Sequence, residues 1–400
     1  MPSTPRGAVG RPTRTQVVEL LSQLVAIDSV NPSLVPGGAG EEDVARFVAG
    51  WLRDAGLEVE LREVVPGRPN VIGRVRGTGG GRTLLLNAHL DTVGTTGMAA
   101  PFEPRVEGDR LYGRGAFDMK SGLAAAMLTC AMLQRAGGAA GDVTLTGVMD
   151  EEYASLGTET IATELRADAA IVTEPTGLRI CLAHRGFAWM TVETHGRAAH
   201  GSRPHDGIDA IAHMGRVLVD LEALDGEIQA RPPHSLLGTG SLHASLIEGG
   251  QELSSYPARC TLRIERRTLP GESRGSVLAE VRDRLESRGR EDSHFHADAE
   301  LDLWRDPFEV DGNEAVVRAV EAAAAGVSGT TPARYGEAWW MDAALLAAAG
   351  IPTVVLGPSG EGAHAAIEWA SIESVALCSE ILARAALDFT GQSGRDANRP

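Results

Sequence analysis

The segment "RTLLLNAHLDTVG" (82–94) runs an apolar stretch straight into His89 and Asp91. Side chains two apart on a strand share a face. The pair is therefore either a satisfied polar strand end or a metal ligand with the carboxylate that orients its ring. Similar polar residues recur downstream: Asp118 in "GRGAFDMKSG", Glu151 and Glu152 in "MDEEY", Glu174 in "VTEPT" and His364 in "GPSGEGAH". Each has an ordinary alternative. Asp118 could cap a helix, the paired glutamates could face solvent, Glu174 could sit in a turn and His364 in a loop. Together, however, they fall at or just after the carboxyl ends of successive strands, where open α/β sheets place their sites. Two neutral imidazoles and three carboxylates, with Asp118 bridging, would hold two divalent ions. At a strand end the chain can turn, so Glu152 can bind metal while Glu151 stays free as a general base.

Elements to position these residues can be read from hydrophobic period. "RTQVVELLSQLVAI" and "EEDVARFVAGWLRDAG" have helical spacing, the second stopped by Gly56. "LEVELREV", "PNVIGRVRG" and "TLLLNAH" read as strands, and "GTGGG" (77–81) as a hairpin turn rather than a phosphate loop, because a strand and not a helix follows it. A small-residue helix ends "GRGAFDMKSGLAAAMLTCAMLQRAG". Strand "DVTLTGVMDEE", helix "LGTETIATEL" and strand "AAIVTEPT" continue an alternation that predicts an α/β domain with a mostly parallel sheet. The grammar then changes to β-α-β-β-α-β between "GFAWMTVETHG" and "SHFHADAELDLW", a ferredoxin-like α+β unit. After Trp304 the α/β pattern returns. The expected organisation is a catalytic α/β domain over 14–185 and 305–390, interrupted by an inserted α+β domain over 186–304.

Composition narrows the function classes. A net charge of −17, from 37 Lys and Arg against 54 Asp and Glu, argues against a nucleic-acid or anionic-membrane surface. The four cysteines are far apart with no CxxC spacing, as expected of reduced core residues in a cytoplasmic protein. The start, "MPSTPRGAVGRPTRTQ", lacks the apolar core of a secretory signal, and no segment reads as a membrane span. The end, "TGQSGRDANRP", reads as a frayed tail.

Six stretches in order, "NAHLDTVG", "GRGAFDMKSG", "DEEYASLGTE", "VTEPT", "GRAAHGSRP" and "GPSGEGAH", resemble the dinuclear-zinc family of acetylornithine deacetylase, succinyl-diaminopimelate desuccinylase, aminoacylase and carboxypeptidase G. The resemblance runs from about 14 to 388. It implies that His89, Asp118 and Glu174 ligate one ion and Asp118, Glu152 and His364 the other, with Asp91 orienting His89 and Glu151 acting as base. The ions it implies are two Zn²⁺ per chain, with Co²⁺ or Mn²⁺ as substitutes. The inserted domain becomes a lid and dimerisation domain, whose His200 reaches the partner subunit's site in a homodimer to stabilise the oxyanion. Arg267, in "RIERRTLPGE", resembles the arginine that holds a substrate carboxylate; its alternative is a surface pair with Glu265 or Glu272. Ser254 and Glu265 depart from the asparagine and aspartate that the family often carries near that arginine. A cis peptide bond after Asp118 is also implied. The expected activity is hydrolysis of the amide bond of a small N-acyl amino acid, with a metallo-carboxypeptidase or dipeptidase as the alternative enzyme. A metal-free binding protein that kept the fold is the alternative of another class.

Overall fold

The computed structural model describes residues 9–392. Residues 1–8 and most of the tail read above lie outside the described residues. The chain forms two compact units, one comprising the residues up to Leu182, Val310–Tyr335 and those from Met341 onward, the other Ala183–Glu309 and Gly336–Trp340.

In the first unit, α1 (Arg14–Val25) starts at a capping box between Thr13 and Gln16, and α2 (Glu42–Asp54) buries its apolar stripe of Val44, Val48 and Leu52. β1 (Glu58–Val65) and β2 (Arg68–Val75) are joined by two residues, Pro66 and Gly67, so they must pair antiparallel. β3 (Leu84–His89), β6 (Val143–Val148), β7 (Ala169–Val172) and the strand Thr353–Val355 form the parallel centre. Between β3 and β6 in the chain lie two short strands, β4 (Arg105–Glu107) and β5 (Arg110–Tyr112). The sheet order runs β1-β2-β6-β3-β7, then Thr353–Val355, then β8 (Ile180–His184). Antiparallel pairing at β1–β2, β2–β6 and against β8 makes the sheet mixed, with its parallel character confined to the centre.

The "GTGGG" stretch is not a hairpin turn. β6 lies between β2 and β3, and the loop instead docks on the segment before β6, with Thr78 and Gly79 N–H donating to Ala139 and Ala140 carbonyls at 2.9 Å. The sequence could not show this, because β6 enters from sixty residues further on. Helix α3 (Ser121–Arg135) is buried at every residue from Ser121 to Leu133 and packs on β3 and on α9 (Ile372–Gly391). The segment Ala116–Arg135 is long and apolar enough to cross a membrane by length and composition, contrary to the reading that no segment is, but 89% of it is buried inside the protein. A core helix meets the same test.

The second unit contains β9 (Gly186–His195), α5 (Ala210–Gln229), β10 (Ser241–Gly249), β11 (Arg259–Thr268), α6 (Arg274–Glu291) and β12 (His296–Arg305). Its sheet order β10-β11-β9-β12, antiparallel throughout, is that of a ferredoxin-like unit. Met190, Val192, Leu262 and Ile264 of the sheet meet Val217, Leu221, Val277 and Val281 of the two helices.

Candidate metal centre

Strand register brings the first candidate ligands together. His89 lies opposite Val148 on β6, and Asn87 opposite Val172 on β7. The residues just beyond those strand ends, Glu151, Glu152 and Glu174, therefore emerge beside His89. Two glycines let other segments close on the Glu174 backbone. A Cβ on Gly122 of α3 would lie 1.9 Å from the Thr173 carbonyl oxygen, and one on Gly357 2.2 Å from that of Glu174.

The other candidate ligands come from a small sheet that sequence patterning did not reveal. β5 pairs with the strand Trp369–Ser371, which in turn pairs with Gly360–Glu361. Asp118 follows β5, and His364 sits in the loop between the two later strands. This is how residues about 250 apart in the chain meet. His364 and Asp150, which precedes the paired glutamates, have φ of 60° and 70°, a region that costs a non-glycine residue energy and often marks functional sites. The bond between Asp118 and Met119 is cis.

The resulting geometry has two halves that share Asp118. Its Oδ1 lies 3.2 Å from His89 Nε2, which is 3.6 Å from Glu174 Oε1. Its Oδ2 lies 3.4 Å from His364 Nε2, which is 3.1 Å from Glu152 Oε2. Ligand atoms about 2.0–2.1 Å from a tetrahedral ion stand about 3.3 Å apart, so these pairwise distances are those of atoms that could share an ion, and His89, Asp118 and Glu152 also offer atoms within 4.8 Å of one another. Glu151 offers an oxygen within 4.8 Å of His89 and Glu174. Glu152 Oε1 is buried with no hydrogen-bond partner, as expected of an oxygen reserved for a cation.

Electrostatics support the same reading. Burial pushes the carboxyls of Glu151 and Glu174 well up, and each also feels neighbouring acids. Burial and the Asp118 charge raise Glu152 to about 6. Burial opposes charge on Asp118 too, but hydrogen bonds from His364 and His89 hold it below the usual range. The His364 imidazole is raised to about 10 by its hydrogen bonds to Asp118 and Glu152. At His89 burial works against the charged ring, yet hydrogen bonds to Asp118 and Asp91 outweigh it and raise its pKa. Four acids and two imidazoles at this spacing demand positive charge. Two divalent ions would balance the four carboxylates.

Asp91 is fully buried. His89 Nδ1 is 3.0 Å from the Asp91 carbonyl and 3.5 Å from its carboxylate. That carboxylate also accepts the Glu151 and Glu152 backbone N–H groups at 3.2 and 3.1 Å, and Asn31 Nδ2 at 2.8 Å. Behind it, Arg68 donates to Glu41 at 2.7 and 2.5 Å and to Asp150 and Asn31 at 3.1 Å. None of Asn31, Glu41, Arg68 or Asp150 was singled out from sequence. Nothing local marks them: Asn31 and Asp150 sit in loops, Glu41 precedes α2 and Arg68 opens β2.

His200 and Arg267 belong to the second unit. The exposed His200 accepts the Ser202 N–H at Nδ1, 3.2 Å away, which leaves the proton of its neutral ring on Nε2. Arg267 is ion-paired with Glu265, and its guanidinium lies 5.4 Å from the centre of the Phe187 ring.

Comparison with known proteins decides the family. Residues 85–388 match the model of peptidase family M20/M25/M40. The chain belongs to this family. A peptidase M20 domain-containing protein of Schizosaccharomyces pombe is 33% identical over 63% of this chain, a match spanning 60% of that protein's length. An N-formyl-4-amino-5-aminomethyl-2-methylpyrimidine deformylase of Bacillus subtilis is 26% identical over 94% of both chains. An acetylornithine deacetylase of Erwinia tasmaniensis is 30% identical over 64% of this chain and 68% of its own. Among solved structures, the aminopeptidase PepT of Bacillus cereus superimposes with a TM-score of 0.77 at 21% identity, covering 96% of this chain and all of its own. A dinuclear metal-binding M20 peptidase of Bacillus subtilis gives 0.74 at 17%, covering 94% and 98%. The M20 chain described here is thus a hydrolase with the α/β fold of that family.

Proposed function

We propose that this M20 hydrolase removes a small acyl group from the amine of a small amino acid, as a dinuclear deacylase with Zn²⁺ as its working ion. The observation that carries the reading is the shared carboxylate of Asp118, one oxygen toward His89 and Glu174 and the other toward His364 and Glu152. Pure ligand binding has no use for an additional half-buried acid, and Glu151 is one. Ions held by these five residues would polarise an amide carbonyl and acidify water.

Glu151 takes the proton from the attacking water and passes it to the leaving amine nitrogen. Its desolvation supports this role, because a carboxyl raised above its usual range holds the proton long enough to deliver it. Asp91 keeps the Glu151–Glu152 turn and the His89 ring in place. His200 serves the site of a partner subunit in a homodimer formed through the inserted lid domain, where its Nε2–H donates to the oxyanion. Arg267 binds the substrate carboxylate in exchange for Glu265. Four buried free cysteines agree with a cytoplasmic setting.

The test is a panel of N-acetyl, N-formyl and N-succinyl amino acids and dipeptides, read by free-amine detection before and after chelation. Turnover of an N-acyl amino acid that chelation abolishes and Zn²⁺ restores is the expected result. Preference for dipeptides would replace the deacylase reading with a peptidase one. Activity indifferent to chelation would end the metal reading.

A further inference from the structure

Two loops must hold still for Asp118 to face both halves of the centre: residues 113–118, which carry it, and the loop of His364. One buried side chain joins them. Glu368 is 1% exposed. Its Oε1 accepts the Phe117 and Asp118 N–H groups at 2.9 and 3.0 Å, and its Oε2 accepts the Gly115 N–H at 2.9 Å and Arg114 Nη1 at 2.7 Å. Its own carbonyl takes the Gly113 N–H at 3.2 Å. Arg114, 2% exposed, then extends Nη2 to the Ala365 carbonyl at 3.0 Å, next to His364.

Three backbone N–H groups of the Asp118 loop thus hang on one carboxylate, and its arginine partner grips the opposite loop. A carboxylate with four donors is fixed in both position and direction. The amide of Asp118 is itself one of those donors, so any drift of Glu368 moves the bridging residue. The segment that follows holds this loop by its carbonyls instead, Lys120 N–H donating to Gly115 at 2.8 Å and Ser121 Oγ to Phe117 at 3.1 Å, and leaves these N–H groups to Glu368.

We propose that Glu368 is the positioning residue of the dinuclear centre, holding Asp118 directly and the His364 loop through Arg114. The inference rests on the dinuclear reading of the site. It separates two effects. Loss of Glu368 disturbs the ligand common to both ions, whereas loss of Arg114 leaves three of the four donors on Glu368 and falls mainly on the half that contains His364.

The experiment strips the full-length protein of metal and titrates Co²⁺ into wild type, Glu368→Gln and Arg114→Met, following heat and visible absorption. Thermal midpoints of the metal-free forms are measured alongside. In Glu368→Gln an amide –NH₂ must face either Gly115 N–H and Arg114 or the Phe117 and Asp118 N–H groups. Both Co²⁺ affinities should fall by about 10–100-fold, the usual cost of removing a group that orients ligands. Arg114→Met should weaken one ion by a similar factor and leave the other within about threefold. Variants with lowered midpoints but wild-type affinity for both ions would assign the pair to stability alone and overturn the proposal. If Glu368→Gln does not fold, the one-ion loss in Arg114→Met decides, and equal weakening of both ions there would overturn the division of labour. Failure of wild type to bind two Co²⁺ would instead sink the dinuclear reading beneath it.

Discussion

At the scale of single residues, adjacent acids are set to different tasks by what surrounds them. Glu152 faces His364, while Glu151 offers its oxygen beside His89 and Glu174. Glu151→Gln keeps the shape and removes the proton acceptor. Metal content should persist while turnover falls by about 10²–10⁴-fold. Glu152→Gln should instead lower the affinity for one ion, readable as loss of one equivalent on dialysis. Near-normal turnover in Glu151→Gln would exchange the roles of the pair. The residue types of this site were legible in the chain because histidine and acids are out of place at the ends of apolar strands. The division of labour between the two glutamates was assigned there on a possible turn and on the resemblance, since it depends on which side chain the turn after Val148 aims at His364. The Arg68–Glu41–Asp150–Asn31 cluster was not legible, because a buried charge looks like a surface charge until its partner is known.

At the scale of elements, close packing of α3 on the strand ends is what keeps Glu174 in reach. Gly122 sits in the first turn of that helix, where alanine would ordinarily be favoured by about 0.8–1.0 kcal/mol. The methyl group would however land 1.9 Å from the Thr173 carbonyl, on backbone that cannot swing aside. Overpacking of this kind costs about 1–3 kcal/mol. Gly122→Ala should therefore be less stable in urea despite its better helix propensity, and should bind the His89–Glu174 ion more weakly. A variant as stable as wild type or more so would show that the helix does not approach the strand as described. The helix itself was legible from its run of small residues. Its burial on most sides was legible with it, but the small sheet joining β5 to Trp369–Ser371 was not, because three-residue strands carry too little pattern.

At the scale of the whole molecule, the four free cysteines are all buried. Burial pushes the Cys130 thiol up to about 12 and raises Cys378 as well. Between about 9 and 12 the unfolded chain has lost that Cys130 proton while the folded chain retains it. Folding then takes up a proton, so stability falls as pH rises through this window. Cys130→Ala should flatten part of the decline in urea melts between pH 9 and the alkaline limit, and an unchanged slope would contradict the burial. In native protein at pH 8 none of the four should react with a thiol reagent; all should react in denaturant. The homodimer is tested by mixing Glu151→Gln with His200→Ala under conditions where subunits exchange. A mixed dimer carries one site with both defects and one with neither, so activity should return toward half per dimer. If His200 acts in its own chain, both sites stay defective and no activity appears.

By itself the sequence determined the α/β alternation, the inserted β-α-β-β-α-β unit and the residue types of the centre. These follow from local rules: hydrophobic period, turn chemistry and the cost of polar groups in apolar strands. The tertiary structure decided what local rules cannot reach. It set β6 between β2 and β3, turning an apparent hairpin into a docked loop. It aligned the ends of β3, β6 and β7 so that His89, Glu152 and Glu174 emerge together. Through Glu368 and Arg114 it also tied the loops of Asp118 and His364. In each case the deciding contact joins residues tens to hundreds of positions apart, and its free energy exists only once the chain has closed those distances.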